Sequence, residues 1–438
     1  MSVIKCPTNK LYTAWISSHI RSCSIPLLHQ SFNCYRLRTA AFSTRSSVRQ
    51  FKRTMASAAI LNSSAPTFGV NMDTSSQAVK TNATAANRKY RVCVIGSGNW
   101  GTTIAKIVAE NTADNSDKYE KEVRMWVYEE QVNGRNLTEI INTEHENVRY
   151  LPEIKLPTNL VADPDIKHTV EGADLVVFNI PHQFLHRICD QLEGVDFTGV
   201  RAISCLKGLE VSKEGVFLLS DYIKKRLGMH CGVLSGANLA PEVAREKFCE
   251  TTIAYDKPED YFEGDIEPAT LKNLFQRTYF HVRVAEDTAG VSIGGALKNV
   301  VALAAGFVEG RGWGDNAKSA IMRRGLLEMI KFGTTFFPAC KPETFTAESA
   351  GVADLITSCA GGRNHRVGME MARTGKPIEQ IEKELLNGQS AQGLATAKEV
   401  NELLTDRGMH EDFPLFTATY KIAFEDMSID ELPAFLED

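Results

Sequence analysis

The stretch VCVIGSGNWGTTIAK, Val92 to Lys106, sets three glycines within six residues directly behind an apolar run. The run reads as a buried strand and the residues past Gly101 as a helix. Gly96, Gly98 and Gly101 therefore complete G-x-G-x-x-G at a strand-to-helix turn. Each glycine has its own task there: Gly96 makes the turn, Gly98 lets a pyrophosphate approach the backbone, and Gly101 lets helix and strand close together. The free N–H groups of the helix's first turn would face the pyrophosphate. A glycine-rich turn that binds nothing could be spelled the same way, so the surrounding pattern has to decide.

Working outward, YRVCVIG, WVYEE, ADLVVFNIP, VRAISCLKG and CGVLSGAN read as five strands separated by helix-length segments. Near-continuous apolar strands of this kind indicate a parallel sheet covered on both faces. The expectation is an α/β fold: a Rossmann-type doubly wound sheet over residues 89–285, then a mostly α-helical domain over 286–438. Helical spacing in GGALKNVVALAAGFVEG, KSAIMRRGLLEMIKFGTTFF, ESAGVADLITSCAG, PIEQIEKELLNG and GLATAKEVNELL carries the second half.

The usual partner of the glycine loop is an acidic residue after the second strand, and Glu129 and Glu130 stand there after a longer gap than usual. A carboxylate at this place accepts hydrogen bonds from the adenosine ribose and repels a 2′-phosphate, which favours NAD over NADP. The alternative is a pair of solvated charges. Tyr128 and Phe184 stand where aromatic faces could line the cofactor pockets, or could simply join the core.

Residues 1–72 contain nine Lys or Arg and no Asp or Glu, so the net charge of −5 divides into +9 for this leader and −14 for the remainder. An acidic body makes nucleic acid an unexpected partner. The leader, extended to residue 88 as a basic, disordered segment, has the Arg-rich, acid-free make-up of a mitochondrial transit peptide. A plain tail, or an extension ahead of a start at Met55, would look similar. No uninterrupted apolar run reaches the roughly 18 residues of a membrane span, so no membrane partner is expected. Cys6, Cys23 and Cys34 lie in the leader. The remaining seven cysteines show no metal-ligand spacing, and neither a metal site nor a disulfide framework is expected.

Four polar places stand out in apolar surroundings. Lys298, in GALKNVVALAAG, must either snorkel to water or be used, and desolvation would bring its pKa toward the range of proton transfer. Lys207 follows the fourth strand at its carboxyl end, where open α/β sheets place ligands. Asp354 in GVADLITSC could charge-pair with Lys298 or merely cap a helix. GGRN, Gly361 to Asn364, combines flexible backbone, a guanidinium and an amide, which suits a phosphate, though such a segment is also an ordinary turn.

Together, GSGNWGTTIAK, NIPHQFL, SCLKG, SGANLAPEVA, GALKNVVALAAGFVEG, GVADLITSCAGGRN and ELLNGQSAQG resemble, in order, the signatures of NAD-dependent glycerol-3-phosphate dehydrogenase, in its fungal cytosolic type. The resemblance runs from about Tyr90 to Leu436. It implies reversible reduction of dihydroxyacetone phosphate by NADH to sn-glycerol 3-phosphate, in a cytoplasmic homodimer. It further implies Lys298 as proton donor or acceptor at the substrate C2 oxygen, Lys207 as a second active-site lysine, and Asp354 as the carboxylate that organises them. Arg363 and Asn364 would bind phosphate, with Asn299 and Ser358 lining the same pocket. The cofactor positions would be Gly96, Ser97, Gly98, Asn99, Trp100, Gly101, Tyr128, Phe184, Lys207, Ala240, Arg363 and Gln392. Ser390 departs from the animal members, which carry Lys there, so a direct charge contact with the cofactor is not expected at that position.

Two competitors fit parts of this pattern. A dehydrogenase of hydroxy acids would share the glycine loop but has less use for two lysines and an Arg-Asn segment. A catalytically silent NAD(H) sensor would need none of Lys207, Lys298 and Asp354.

Overall fold

Eight strands form one sheet: β1 (Val92–Ile95), β2 (Val123–Trp126), β3 (Leu160–Asp163), β4 (Leu175–Phe178), β5 (Arg201–Ser204), β6 (His230–Ser235), β7 (Cys249–Ala254) and β8 (Phe280–Ala285). Their spatial order is β8-β7-β6-β5-β4-β1-β2-β3. The computed structural model describes residues 88–212, 215–386 and 391–437. The described residues belong to the compact unit Val79–Asp438. The leader and Ser390 lie outside the described residues.

The run from β3 through β6 has the doubly wound order 3-2-1-4-5-6, with all neighbours parallel. The order reverses beside β1, which places the glycine loop at the crevice between β1 and β4. The sheet is not wholly parallel, as the apolar runs suggested: β7 pairs antiparallel with β6 and parallel with β8. β3, β7 and β8 were not legible as strands because their apolar runs are broken by Asp163, by the Thr251–Thr252 pair, and by alternation in β8. Phe280 and Val282 point inward there while His281 and Arg283 face solvent, as expected of an edge strand.

Helix α1 (Asn99–Asp114) follows the glycine loop and buries Ile104, Ala105, Ile107 and Val108 against the sheet. The second half is built around α2 (Thr288–Gly310), whose start is capped by Asp287 accepting from Gly290 N at 2.8 Å. Within its most apolar window 94% of the residues are buried in the fold. This helix is long and apolar enough to cross a membrane by length and composition, which the broken apolar run in the sequence did not suggest. Here protein covers it instead.

Around α2 pack α3 (Asp315–Phe336), α4 (Asp354–Cys359), α5 (Arg363–Thr374), α6 (Gln392–Arg407) and α7 (Pro414–Phe424). α5 was not foreseen, since GGRN reads as a turn. It crosses α2 so closely that a Cβ on Gly306 would lie 2.2 Å from His365 O, and one on Gly368 would lie 2.3 Å from Leu303 O. That contact between two backbones sets Lys298 and Asn299 beside the first turn of α5.

Candidate active site

The glycine loop has the geometry its spacing promised. Gly96 adopts φ +112°, and a Cβ on Gly101 would fall 2.2 Å from Gly96 O, so the turn closes only because both positions are bare. Gly98 has no heavy atom within 4 Å of the place a Cβ would take, which leaves a cradle open above the loop. Gly98 is also the N-cap of α1; no side chain caps that end, and no acidic residue stands in the first turn. The helix therefore presents unpaired N–H groups and the positive end of its dipole to the cradle. A dinucleotide's pyrophosphate fits both features.

A buried support holds the loop from behind. Asn147 donates through Nδ2 to Ser97 O and to Thr102 Oγ1, each at 2.8 Å. Sequence reading missed Asn147, because a single amide in a loop carries no spacing signal. Asn99 is exposed beside Gly98, and the half-buried Trp100 ring turns edge-on to Phe280, 6.2 Å away. Tyr128 and Phe184 are 62% and 47% exposed, each just past the carboxyl end of a strand, so neither joins the core. Ala240 opens the short helix Ala240–Ala244 beside α1, and Gln392 opens α6.

Glu129 and Glu130 are neither free for a ribose nor simply solvated. Glu129 accepts from Thr138 N at 3.2 Å and from the Thr138 hydroxyl, tying down the helix Leu137–Glu144. Glu130 takes the Tyr150 hydroxyl and lies 3.7 Å from Arg149. A ribose would have to compete with these partners, while the negative charge near the strand end remains.

Lys298, Lys207 and Asp354 converge, though far apart in sequence. Asp354 Oδ1 accepts from Lys298 Nζ at 2.6 Å, and Oδ2 accepts from Lys207 Nζ at 3.0 Å. Lys298 also donates to Ser358 Oγ, one turn beyond Asp354 on α4. Asp354 is 2% exposed and Lys298 5%. Asp354 begins α4 but does not cap it; an irregular turn at Ser349–Ala353, pivoting on Gly351, aims the carboxylate at the lysines. Burial drives the Lys298 pKa down to about 8. The attraction of Asp354 resists this and the neighbouring Lys207 adds to it.

Asn299 stands beside Lys298, and its Oδ1 accepts from Asn364 Nδ2 at 2.9 Å, while Asn364 Oδ1 accepts from Gly393 N at 2.8 Å. The Asn364 amide thus pins α2, α5 and α6 together. Arg363 is the exposed first residue of α5, a helix start that Gly362 leaves without a side-chain cap and without acidic residues in its first turn. Ser235, missed in sequence, ends β6 with a buried hydroxyl that lacks a hydrogen-bond partner among the described residues. It faces Gly295, one turn before Lys298. The strand-end rule that singled out Lys207 applies equally to Ser235.

The model of the N-terminus of NAD-dependent glycerol-3-phosphate dehydrogenase matches residues 91–260, and that of its C-terminus matches residues 287–434. The chain belongs to the NAD-dependent glycerol-3-phosphate dehydrogenase family. It is 62% identical over 357 residues to glycerol-3-phosphate dehydrogenase [NAD(+)] 1 of Yarrowia lipolytica, covering 81% of this chain and 90% of that one. It is 59% identical over 352 residues to the Saccharomyces cerevisiae protein named glycerol-3-phosphate dehydrogenase [NAD(+)] 2, mitochondrial, covering 80% of each. The solved glycerol-3-phosphate dehydrogenase structure from S. cerevisiae superposes with a TM-score of 0.77 at 59% identity, covering 80% of this chain and all of that one. The expected fold class, NAD as cofactor, and an oxidoreductase acting on a CH–OH group are those of the family.

Proposed function

We propose that this NAD-dependent dehydrogenase reduces dihydroxyacetone phosphate reversibly to sn-glycerol 3-phosphate, with Lys298 as the proton donor. The observation that carries the reading is the pair of lysines held on one buried carboxylate at the carboxyl end of the sheet. NADH, when bound, supplies the hydride; Gly96 to Gly101, Tyr128, Phe184, Ala240, Arg363 and Gln392 would hold it.

The rest of the chemistry belongs to the chain. Reduction at C2 puts negative charge on the carbonyl oxygen, and an ammonium already aimed and desolvated meets that charge without reorganising. Lys298 suits the step because its pKa of about 8 leaves it protonated at neutral pH yet able to release the proton. In the reverse direction the same amine accepts it. Asp354 holds the lysine through its carboxylate, and Lys207 on the second carboxylate oxygen keeps that oxygen from drawing the proton away.

The substrate phosphate would sit at the start of α5. Arg363 supplies a forked, permanent charge and the free N–H groups of the first turn add to it, with Ser358 and Asn299 nearby. Asn364 would contribute through its backbone, since its amide is already paired. Fixing a remote phosphate turns binding energy into orientation of C2.

Residues 89–285 would serve as the NAD-binding domain and 286–438 as the substrate domain, in a homodimer detectable by sedimentation. The acidic body and basic leader fit a cytoplasmic enzyme with partial mitochondrial delivery, which a reporter fused to residues 1–72 would test. The assay for the reaction is NADH oxidation with dihydroxyacetone phosphate, against pyruvate-type acids, against no substrate. Turnover with the acids alone would indicate the hydroxy-acid reading, and binding of NADH without any turnover would indicate a sensor.

A further inference from the structure

The turn that aims Asp354 is itself fastened by two side chains, and both reach across to the sheet. Glu348 stands between the helix Pro342–Ala347 and the turn Ser349–Ala353, where the chain changes direction. Its buried carboxylate spans two strands: Oε2 accepts from Thr252 Oγ1, on β7, at 3.1 Å, and Oε1 lies 2.9 Å from Arg283 Nε, on β8. Thr252 is fully buried, while Arg283 comes to the carboxylate from the solvent side. Ser349, the next residue, donates to Glu250 O at 2.9 Å and accepts from Ala237 N at 3.3 Å. Ala237 lies in the loop between β6 and Ala240.

A carboxylate is costly to bury unless it is paired, and an apolar side chain of similar volume would fill such a place at less cost. Only the carboxylate, however, can hold two strands at once. The turn beyond it is packed backbone to backbone. A Cβ on Gly351 would lie 2.3 Å from Phe345 O, and one on Gly294, a turn before Lys298 on α2, would lie 2.7 Å from Ala350 O. Glu348 O accepts from Gly351 N at 3.0 Å, so its main chain belongs to the turn. A shift at Glu348 is therefore handed on to Asp354, with little side chain in between to absorb it. Reacting constellations need their groups held within roughly 0.5 Å.

We propose that Glu348 is a positioning residue that hangs the Asp354 turn from β7 and β8 and so sets the contact between Asp354 and Lys298. It acts through Asp354, and the proposal rests on the reading of Asp354 and Lys298 as partners in proton transfer. With Ser349 still fastened, loss of the Glu348 contacts lets the turn rotate about that point while the fold persists, and Asp354 draws away from Lys298. Facing Lys298, α4 brings Asp354 and Cys359, and the turn after β5 brings Lys207. Burial pushes Cys359 up to about 12, so it stays neutral. Of these groups Asp354 alone favours the ammonium, so drawing it away lowers the pH at which Lys298 gives up its proton.

The test measures kcat and kcat/KM of the full chain with dihydroxyacetone phosphate from about pH 6 to about pH 10, with NADH affinity by fluorescence and Tm beside them. Glu348→Ala is expected to lower kcat at least about tenfold and to move the alkaline limb of kcat/KM down by at least about half a pH unit, with NADH affinity within about twofold of wild type. Thr252→Val cuts the same tie from the strand without touching the turn, and should move the limb the same way. Glu348→Gln keeps an acceptor for Thr252 and should restore part of both losses. Asp354→Asn should move the limb further than Glu348→Ala. Asp265→Asn, which loosens Arg201 at the amino end of β5, should lower Tm and leave the limb in place. An unmoved limb in both Glu348→Ala and Thr252→Val would overturn the proposal. So would an equal movement in Asp265→Asn, since the limb would then follow stability alone. Wild-type activity and an unmoved limb in Asp354→Asn would instead overturn the reading of Asp354, so the two failures are distinguishable.

Discussion

Replacing Lys298 with Met should separate activity from stability in opposite directions. The change keeps most of the side-chain length and removes the charge. A lysine whose pKa falls from 10.5 to about 8 on folding is disfavoured as an ammonium by on the order of 3 kcal/mol at neutral pH, at about 1.4 kcal/mol per unit. Because the folded pKa is depressed, the lysine's stabilising contribution is present only above about 10.5 and is lost as pH falls through about 8. At pH 7 the wild type therefore carries the full penalty. Lys298→Met removes that penalty but leaves Asp354 with Lys207 as its one lysine partner, so Tm should stay level or rise. Meanwhile kcat should fall at least about 10²-fold, the lower end for losing a general acid or oxyanion partner. Wild-type kcat/KM for reduction should decline as pH rises through about 8, where the ammonium is lost, and that limb should be missing from the variant. Stopped-flow NADH oxidation gives kcat, fluorescence titration gives NADH affinity, and calorimetry gives Tm. Near-wild-type turnover would refute the role of Lys298. A joint collapse of folding and NADH binding would make the residue structural and shift the proton to Lys207 or a water.

Further outcomes follow from particular contacts. Gly98→Ala should fold with unchanged Tm, since nothing lies within 4 Å of the new methyl, yet lose NADH affinity in titration; Gly101→Ala, whose methyl would meet Gly96 O at 2.2 Å, should lose both. Arg363→Ala should raise KM for dihydroxyacetone phosphate by at least about tenfold, measured in steady-state assays. NADH should be preferred over NADPH by at least about tenfold in kcat/KM, about 1.4 kcal/mol, because a 2′-phosphate would meet the acidic side chains of Glu129 and Glu130 after β2. Asp265→Asn should destabilise the fold by roughly 3–5 kcal/mol in urea melts, since it breaks a bidentate pair with Arg201, whose side chain is 1% exposed.

The sequence by itself determined the features that depend on near neighbours along the chain. Gly96, Gly98 and Gly101 announced the turn and the cradle because backbone freedom and the absence of a Cβ are properties of the residue itself. The apolar runs of β1, β4 and β5 announced a sheet buried on both faces, and Lys298 stood out because a charge amid branched apolar residues demands a reason. The long signatures added the family, since their order and length leave little room for coincidence.

Other features were decided only by contacts between distant segments. That one carboxylate holds both lysines depends on α4 being swung by the turn at Gly351, which brings in Asp354 from 56 residues after Lys298 and 147 after Lys207. α5 formed where the sequence reads as a turn because Gly306 and Gly368 let two helices touch backbone to backbone, a complementarity that no local window contains. Asn364 became a clasp between helices, and Glu129 a tie for a neighbouring helix, because a polar group is used by whatever donor the fold brings within reach. The depressed pKa of Lys298 has the same origin. Apolar residues on its own helix hint at burial, but its size depends on water excluded by α4, α5 and α6 together, and that exclusion exists only once the chain has folded.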